Sequence, residues 1–293
     1  MAVGERDPHT GHLTTGHEWN GIKELNTPVP RPVWLFLAAT VVFSVIYWIL
    51  MPAWPLGATY TEGLLGIDQQ SRVDADLKNA ARDRASWSAQ IETMDAEAIQ
   101  ADASLMRIVR EAGRPLFEDN CAVCHGSDAR GGQGYPDLTD RTWLWGGEPE
   151  TVMETIRVGI NAAHGETRSS QMPAFGRNRM LDRKAIREVA TYVRSLSGAV
   201  PDSGDEATAV AEGKEIFAAN CAACHGEKGT GSTAMGAPDL TDEAWIYGGD
   251  RQTVFETVFS GRQGQMPQWE ERLSAVDRKI LALYLRDLGV GGE

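Results

Sequence analysis

Hydrophobic positions along the chain fall into three patterns. The first is unbroken: Val33–Met51 reads VWLFLAATVVFSVIYWILM, 19 residues without a charge. As a helix rising 1.5 Å per residue it would be about 28 Å long, close to the ~30 Å hydrocarbon core of a bilayer. Trp34, Tyr47, Trp48 and Trp54 crowd its two ends as an interfacial belt, and Pro32 and Pro52 mark its borders. A cleaved export signal fits less well, because the run starts late, exceeds a usual signal core and lacks a small-x-small cleavage site. The expectation is a tail over 1–31 and one retained transmembrane helix over 32–52.

The second pattern is periodic and lies in a polar stretch over 53–104. Val73, Leu77, Ala80, Trp87, Ile91, Met94 and Ala98 recur at spacings of three and four, with Arg84 the polar interruption. That predicts an amphipathic helix whose stripe needs a partner. The partner is either the chain's own downstream part or another membrane subunit.

The third pattern occurs twice. EDNCAVCHG at Glu118–Gly126 returns as AANCAACHG at Ala218–Gly226, and PDLTDRTWLWGG at Pro136–Gly147 returns as PDLTDEAWIYGG at Pro238–Gly249. QMPAF at Gln171–Phe175 returns as QMPQW at Gln265–Trp269, and AIREVATYVRSL at Ala185–Leu196 returns as KILALYLRDL at Lys279–Leu288. Each copy reads as helix, loop, middle helix (Glu150–Val158 or Arg251–Phe259), loop and final helix, with no strand pattern. The copies suggest two small domains, 105–199 and 200–293, joined through Gly198–Thr208. The fold class expected is all-α: one N-terminal transmembrane helix followed by two tandem domains.

Charge adds direction. Arg6, Lys23 and Arg31 precede the apolar run, and the first basic residue after it is Arg72. The positive-inside rule then puts the N-terminus in the cytoplasm and both repeats outside, in the periplasm of a cell with an inner membrane. A net charge of −13 argues against nucleic acid and favours basic protein partners, although plain solubility explains acidity as well.

All four cysteines lie in the repeats, as Cys121 with Cys124 and Cys221 with Cys224, each pair followed by His125 or His225. In Cys-x-x-Cys-His, two thiols one helical turn apart can add across the two vinyl groups of one haem, and the adjacent imidazole meets the iron. Two such motifs within a repeat outside a membrane point to two covalently bound haem c groups. A shared four-cysteine zinc site would have to bridge the copies, and a redox dithiol needs a βαβ setting. A sixth iron ligand is expected from Met172 and Met266, each followed by proline, because thioether sulfur favours ferrous iron. On this reading each copy is self-contained, and the loop from His125 to Met172, or from His225 to Met266, reaches over its own haem. Met153 and Met180 read as core, and Met235 has no repeat partner.

His164, in the loop Asn161–Ser170 that only the first copy has, is a solvent-exposed residue, an alternative to Met172 or a partner for a haem propionate. His9, His12 and His17 in the tail read as surface residues. The carbonyls of Pro136 and Pro238 are placed to accept an imidazole N–H and orient the ring. Trp143, Trp145, Trp245 and Tyr247 would wall the haems or simply pack the core.

The repeats resemble class I cytochrome c domains, with a first helix ending in CxxCH, a Pro-Asp-Leu loop, a Met-Pro loop and a last helix bearing an aromatic residue. The resemblance implies that first and last helices cross, with Gly113, Phe117 and Tyr192 meeting in one domain and Gly213, Phe217 and Tyr284 in the other. The whole chain, from GIKELNTPVPRPVW at Gly21–Trp34 through the tandem LTD-x-x-W-x-x-GG loops, resembles the dihaem subunit of cbb3-type cytochrome c oxidases. That implies passing electrons from a donor cytochrome c toward a haem-copper catalytic subunit, beside a monohaem cytochrome c subunit, with no oxygen chemistry in this chain. A free-standing anchored dihaem carrier would share every motif and differ in purifying alone. A dihaem peroxidase would need one haem without a fixed sixth ligand, and a sensor would need a signalling domain.

Overall fold

The computed structural model describes residues 5–198 and 203–290, which divide into two compact units at Asp83/Arg84. In the first unit the tail is not all helix and coil. Strands β1 (Thr14–Trp19) and β2 (Ile22–Leu25) pair antiparallel, with Trp19 opposite Ile22. Asn20 and Gly21 between them have φ of 51° and 82°, the positive values that a two-residue type I′ turn needs and Asn-Gly supplies. The all-α expectation is thus corrected to a mainly helical chain with one small hairpin. His9, His12 and His17 are exposed.

Helix α1 (Arg31–Leu50) covers the apolar run, with Pro32 in its first turn, where a missing N–H costs nothing. None of its residues is buried by protein. Its last carbonyls are satisfied by a returning chain: Leu64 and Leu65 donate their N–H groups to Ile49 and Leu50 at 3.0 and 3.1 Å. Trp48 and Trp54 stack edge to face at that end, 5.0 Å between ring centroids.

Helix α2 (Gln69–Thr93) follows. Its periodic stripe divides. Val73 and Leu77 are exposed, whereas Ile91 is fully buried. In the second unit Ile91 joins Ala96 and Ile99 of α3 (Ala96–Ala101), packed on Leu105, Met106 and Val109 of α4 (Ala103–Asn120) and on Ile280 and Leu283 of α11 (Ala275–Val290). Ala98 lies in α3, separated from α2 by Asp95, which caps α3 by accepting from Ala98 N at 2.7 Å. The end of the stripe therefore packs on the chain's own downstream helices.

Between α4 and α11 come α5 (Ala122–His125), α6 (Pro149–Val158), α7 (Arg183–Leu196), α8 (Gly204–Asn220), α9 (Ala222–His225) and α10 (Arg251–Ser260). Local chemistry sets their starts. Asp102, Asp182 and Asp250 accept backbone N–H groups in the first turns of α4, α7 and α10, and the Ser203 hydroxyl does so for α8. The expected link Gly198–Thr208 is shorter than foreseen, since Gly204–Thr208 is already helix; its residues 199–202 lie outside those described.

Helix partners depart from the sequence expectation. α4 and α6 pack against α11, and α8 and α10 pack against α7. Phe117 meets Tyr284, with ring centroids 6.2 Å apart, and Phe217 meets Tyr192 at 5.3 Å. Tyr192 therefore belongs with Gly213 and Phe217, and Tyr284 with Gly113 and Phe117, the reverse of the grouping expected. Glycine is required at both crossings: a Cβ on Gly113 would lie 2.7 Å from Tyr284 Cβ, and one on Gly213 would lie 2.8 Å from Tyr192 Cβ.

Candidate functional site

Each Cys-x-x-Cys-His segment is a single tight turn that continues the preceding helix. Cys121 and Cys221 donate N–H to the carbonyls of Phe117 and Phe217 at 2.8 Å, and His125 and His225 donate to the two cysteine carbonyls at 3.0 Å. Gly126 and Gly226, both at φ 78°, then turn the chain away. All four cysteines are free of disulfides. Burial pushes the Cys121 and Cys221 thiols up to about 11, helped by the neighbouring Cys124 and Cys224.

The imidazoles are held from behind. His125 Nδ1 lies 3.2 Å from the Pro136 carbonyl, and His225 Nδ1 lies 3.1 Å from that of Pro238. A carbonyl only accepts, so Nδ1 carries the proton and Nε2 keeps its lone pair for a metal. Burial also lowers both histidine pKa values, against the raising effect of those carbonyls, and so favours the neutral ring. The loops that bring the prolines round are pinned by Leu138 N–H to Ala129 O (2.8 Å) and Leu240 N–H to Gly229 O (2.7 Å).

Around each turn lies a separate apolar core. Phe117, Cys121, Leu138 and Trp143 share one with Val152, Ile156, Trp269, Leu281 and Met266. Phe217, Cys221, Leu240 and Trp245 share the other with Phe175, Ile186, Val189, Val254, Val258 and Met172. Each expected methionine thus packs in the same apolar core as the first cysteine of one turn, but of the turn in the opposite repeat to the one expected. Met153 packs at the edge of the first core, whereas Met180, expected in the core, is 55% exposed. His164 is neither exposed nor among these core residues: its side chain is 16% exposed, with Nε2 2.8 Å from Glu270 and Nδ1 accepting Glu166 N–H at 3.0 Å.

The two Pro-Asp-Leu-Thr-Asp loops face one another across a cleft of about 980 Å³ lined by Pro136, Asp137 and Trp143 from one side and Pro238, Asp239 and Trp245 from the other. Gly134 N–H donates to Ile246 O at 2.8 Å, which ties the loops together. Burial, with Asp239 and Asp140 nearby, holds the Asp242 carboxyl above its ordinary range. Trp143 and Trp245 pack on their cores, while Trp145 lies under the Arg168 guanidinium (5.1 Å) and Tyr247 under that of Arg262 (4.4 Å).

Arg168 and Arg262 escaped the sequence reading, yet each stands four residues before its Met-Pro, in Arg-x-x-Gln-Met-Pro. Arg168 Nε is buried without a hydrogen-bond partner, the kind of donor that an anionic haem propionate would satisfy. Paired thiols, an oriented Nε2 and a soft sulfur together fit a covalently held haem at each turn; Arg168 adds one buried unpaired N–H, whereas Arg262 bonds the Thr257 hydroxyl.

Three segments match described families. Residues 11–58 match the N-terminal domain of cytochrome oxidase-cbb3, FixP; residues 110–197 match cytochrome c; and residues 208–285 match cytochrome c oxidase, cbb3-type, subunit III. The chain is 44% identical over 98% of both lengths to a Bradyrhizobium diazoefficiens protein named cbb3-type cytochrome c oxidase subunit FixP. It is 46% identical to the Cereibacter sphaeroides subunit CcoP, over 96% of this chain and 95% of that one. The Azospirillum sp. (strain B510) CcoP is 41% identical over 99% of this chain and all of its own.

Proposed function

Because the chain belongs to the FixP/CcoP family of cbb3-type cytochrome c oxidase subunits, we propose that it is the membrane-anchored dihaem subunit delivering electrons to an oxygen-reducing oxidase core. Cys121 with Cys124, and Cys221 with Cys224, hold the two haem c groups by thioethers. His125 and His225 would each offer Nε2 to an iron, and Met266 and Met172 would offer a thioether sulfur. The partners are a haem-copper catalytic subunit, a monohaem cytochrome c subunit and a donor cytochrome c, which the acidic surface of this chain would steer if that donor is basic.

The observation that carries this reading is the pair of Cys-x-x-Cys-His turns, each with its imidazole held at Nδ1 by a proline carbonyl and a methionine in the same apolar core. Bound haem supplies the ferric/ferrous couple. The protein does the rest. The proline carbonyls fix ring orientation and raise the basicity of Nε2, methionine sulfur raises the potential, and the apolar cores exclude water from the iron. The shared cleft brings together the two loops whose proline carbonyls hold the imidazoles, an arrangement that suits sequential transfer.

The basic residues on the N-terminal side of the anchor support a topology with the tail in the cytoplasm and both haems in the periplasm, on the inner membrane. Haem counting tests the site assignment. The wild type is expected to carry two covalent haems per chain through denaturation, and Cys121→Ala/Cys124→Ala or Cys221→Ala/Cys224→Ala one each. A full haem complement in either double variant would remove that pair from the assignment.

A further inference from the structure

We infer that the two methionine segments are held in place by different chemistry: an ionic clamp centred on Arg157 holds the Met266 segment, and packing of the Phe259 ring on Gly176 holds the Met172 segment. Arg157 is then a positioning residue for one sulfur and not for the other. This rests on the His/Met reading above and goes beyond the ligands to what keeps each of them in place.

The two segments share one backbone frame. Met266 and Ile160 exchange N–H to O bonds of 2.9 Å just after α6, and Met172 and Arg262 exchange bonds of 2.8 and 3.1 Å just after α10. Trp269 N–H then donates to Ile156 O at 3.1 Å, as Phe175 N–H does to Val258 O at 3.1 Å. The strands leading to both methionines meet at Asn161, whose Nδ2 donates to Ser170 O at 2.8 Å and to Gly264 O at 2.7 Å. On this common frame Arg157 and Phe259 hold equivalent positions, next after Ile156 and Val258. Glu270 and Gly176 are equivalent too, each standing next after the aromatic residue that follows its Met-Pro.

The side chains at those positions differ in kind. Arg157 forks onto Glu154 with two bonds of 2.8 Å, reaches Glu270 at 2.9 Å and also bonds Glu166. His164 holds the other Glu270 oxygen at 2.8 Å. Glu166 and His164 belong to the loop Asn161–Ser170, so the extra residues of the first copy serve this clamp. Three carboxylates converge on one guanidinium, whose side chain is 23% exposed. Without that cation they would repel one another and push Glu270, with the Met266 segment, away from α6. The other site carries no charge at the positions of Arg157 and Glu270. A Cβ on Gly176 would lie 2.1 Å from the Phe259 ring, so glycine is what lets that ring cover the backbone after Met172. Phe259 stacks on Phe255 with 5.9 Å between centroids, and the Arg183 guanidinium lies over both rings at 5.5 and 5.4 Å. Ring packing depends little on screening, whereas a partly exposed ion cluster weakens with salt. One sulfur thus answers to charge and the other does not.

The test uses the full-length, haem-loaded protein and reads the far-red charge-transfer band that a ferric haem shows only while thioether sulfur is bound. In Met172→His that band reports the Met266 sulfur alone, and in Met266→His the Met172 sulfur alone. Arg157→Met keeps the stem and removes the charge. Added to Met172→His, it is expected to lower the temperature at which the band fades and to lower the higher midpoint potential; added to Met266→His, it should change neither. Arg157→Lys should restore part of the loss, and Phe259→Ala should act in the Met266→His protein only. An equal effect of Arg157→Met in both proteins, or none in either, would overturn the clamp. A wild type without the band would instead remove the sulfur-ligand reading, and the clamp with it. Should the Arg157 variants not mature, salt is raised to about 1 M, where the Debye length is ~3 Å, on the two single-sulfur proteins. The fading temperature should fall where Met266 supplies the band and hold where Met172 does; the same response in both would overturn the inference.

Discussion

At the scale of single residues, what turns these segments into ligand sites is control of one proton and one charge cluster. The proton is that on Nδ1 of His125 and His225, fixed by proline carbonyls. The charge cluster surrounds Arg157, which pairs with Glu154 at 2.8 Å, with Glu270 at 2.9 Å and with Glu166, while His164 also grips Glu270. Glu270 lies in the loop after Met266, so these bonds hold the methionine segment against α6. Hydrogen bonds from His164 and Arg157 lower the Glu270 pKa below its ordinary value. A lowered carboxylate contributes stability above its unfolded pKa and loses it as pH falls through the folded one. Thermal melting should therefore favour wild type over Glu270→Gln at neutral pH, by a small margin because the pair is exposed. That margin should vanish below the carboxylate range; one that persists there would remove Glu270 as its source.

Helix character was readable from sequence, but helix partners were not. Apolar residues at spacings of three and four are local signals; they placed α6 and α10 within a residue, and they foretold α4, α7 and α11 as helices without fixing their bounds. Partner choice is different. Gly113 and Gly213 are equivalent, as are Tyr192 and Tyr284, so composition cannot say which glycine meets which tyrosine. The choice lies in connection lengths and in how both crossing strands fit around Asn161, which emerge only when the chain is assembled. Asn20-Gly21 was a legible signal overlooked, because attention to helical periodicity passed over a strand pattern of a few residues. The pairing of His164 with Glu270 was not legible, since Glu270 comes from the other repeat. Packing gives a direct check on the pairing. Gly113→Ala, with its Cβ 2.7 Å from Tyr284 Cβ, should cost about 1–3 kcal/mol by overpacking. Tyr284→Ala should relieve part of that cost, with a coupling of roughly 0.5–3 kcal/mol in a double-mutant cycle. Tyr192→Ala should relieve none of it, and the opposite result would restore the pairing within each repeat.

On the scale of the whole molecule, the chain divides its work. An apolar helix unburied by protein anchors it, and the end of the α2 stripe docks onto α4 and α11 rather than waiting for another subunit. The exposed Val73 and Leu77 are left for other surroundings. The haem-bearing unit presents both Pro-Asp-Leu-Thr-Asp loops to one cleft, so the two redox sites form one device rather than two beads on a string. Its role as an electron-transfer component of an oxidase shows in company. The most direct measurement is gentle detergent purification through a C-terminal tag, followed by subunit masses, a reduced-minus-oxidised spectrum and oxygen uptake. The account predicts co-purification with a large multi-span subunit, b-type as well as c-type bands, and cyanide-sensitive oxygen uptake. A chain that emerges alone, with c-type bands only and no oxygen uptake, would contradict delivery to an oxidase core and leave a free-standing dihaem carrier.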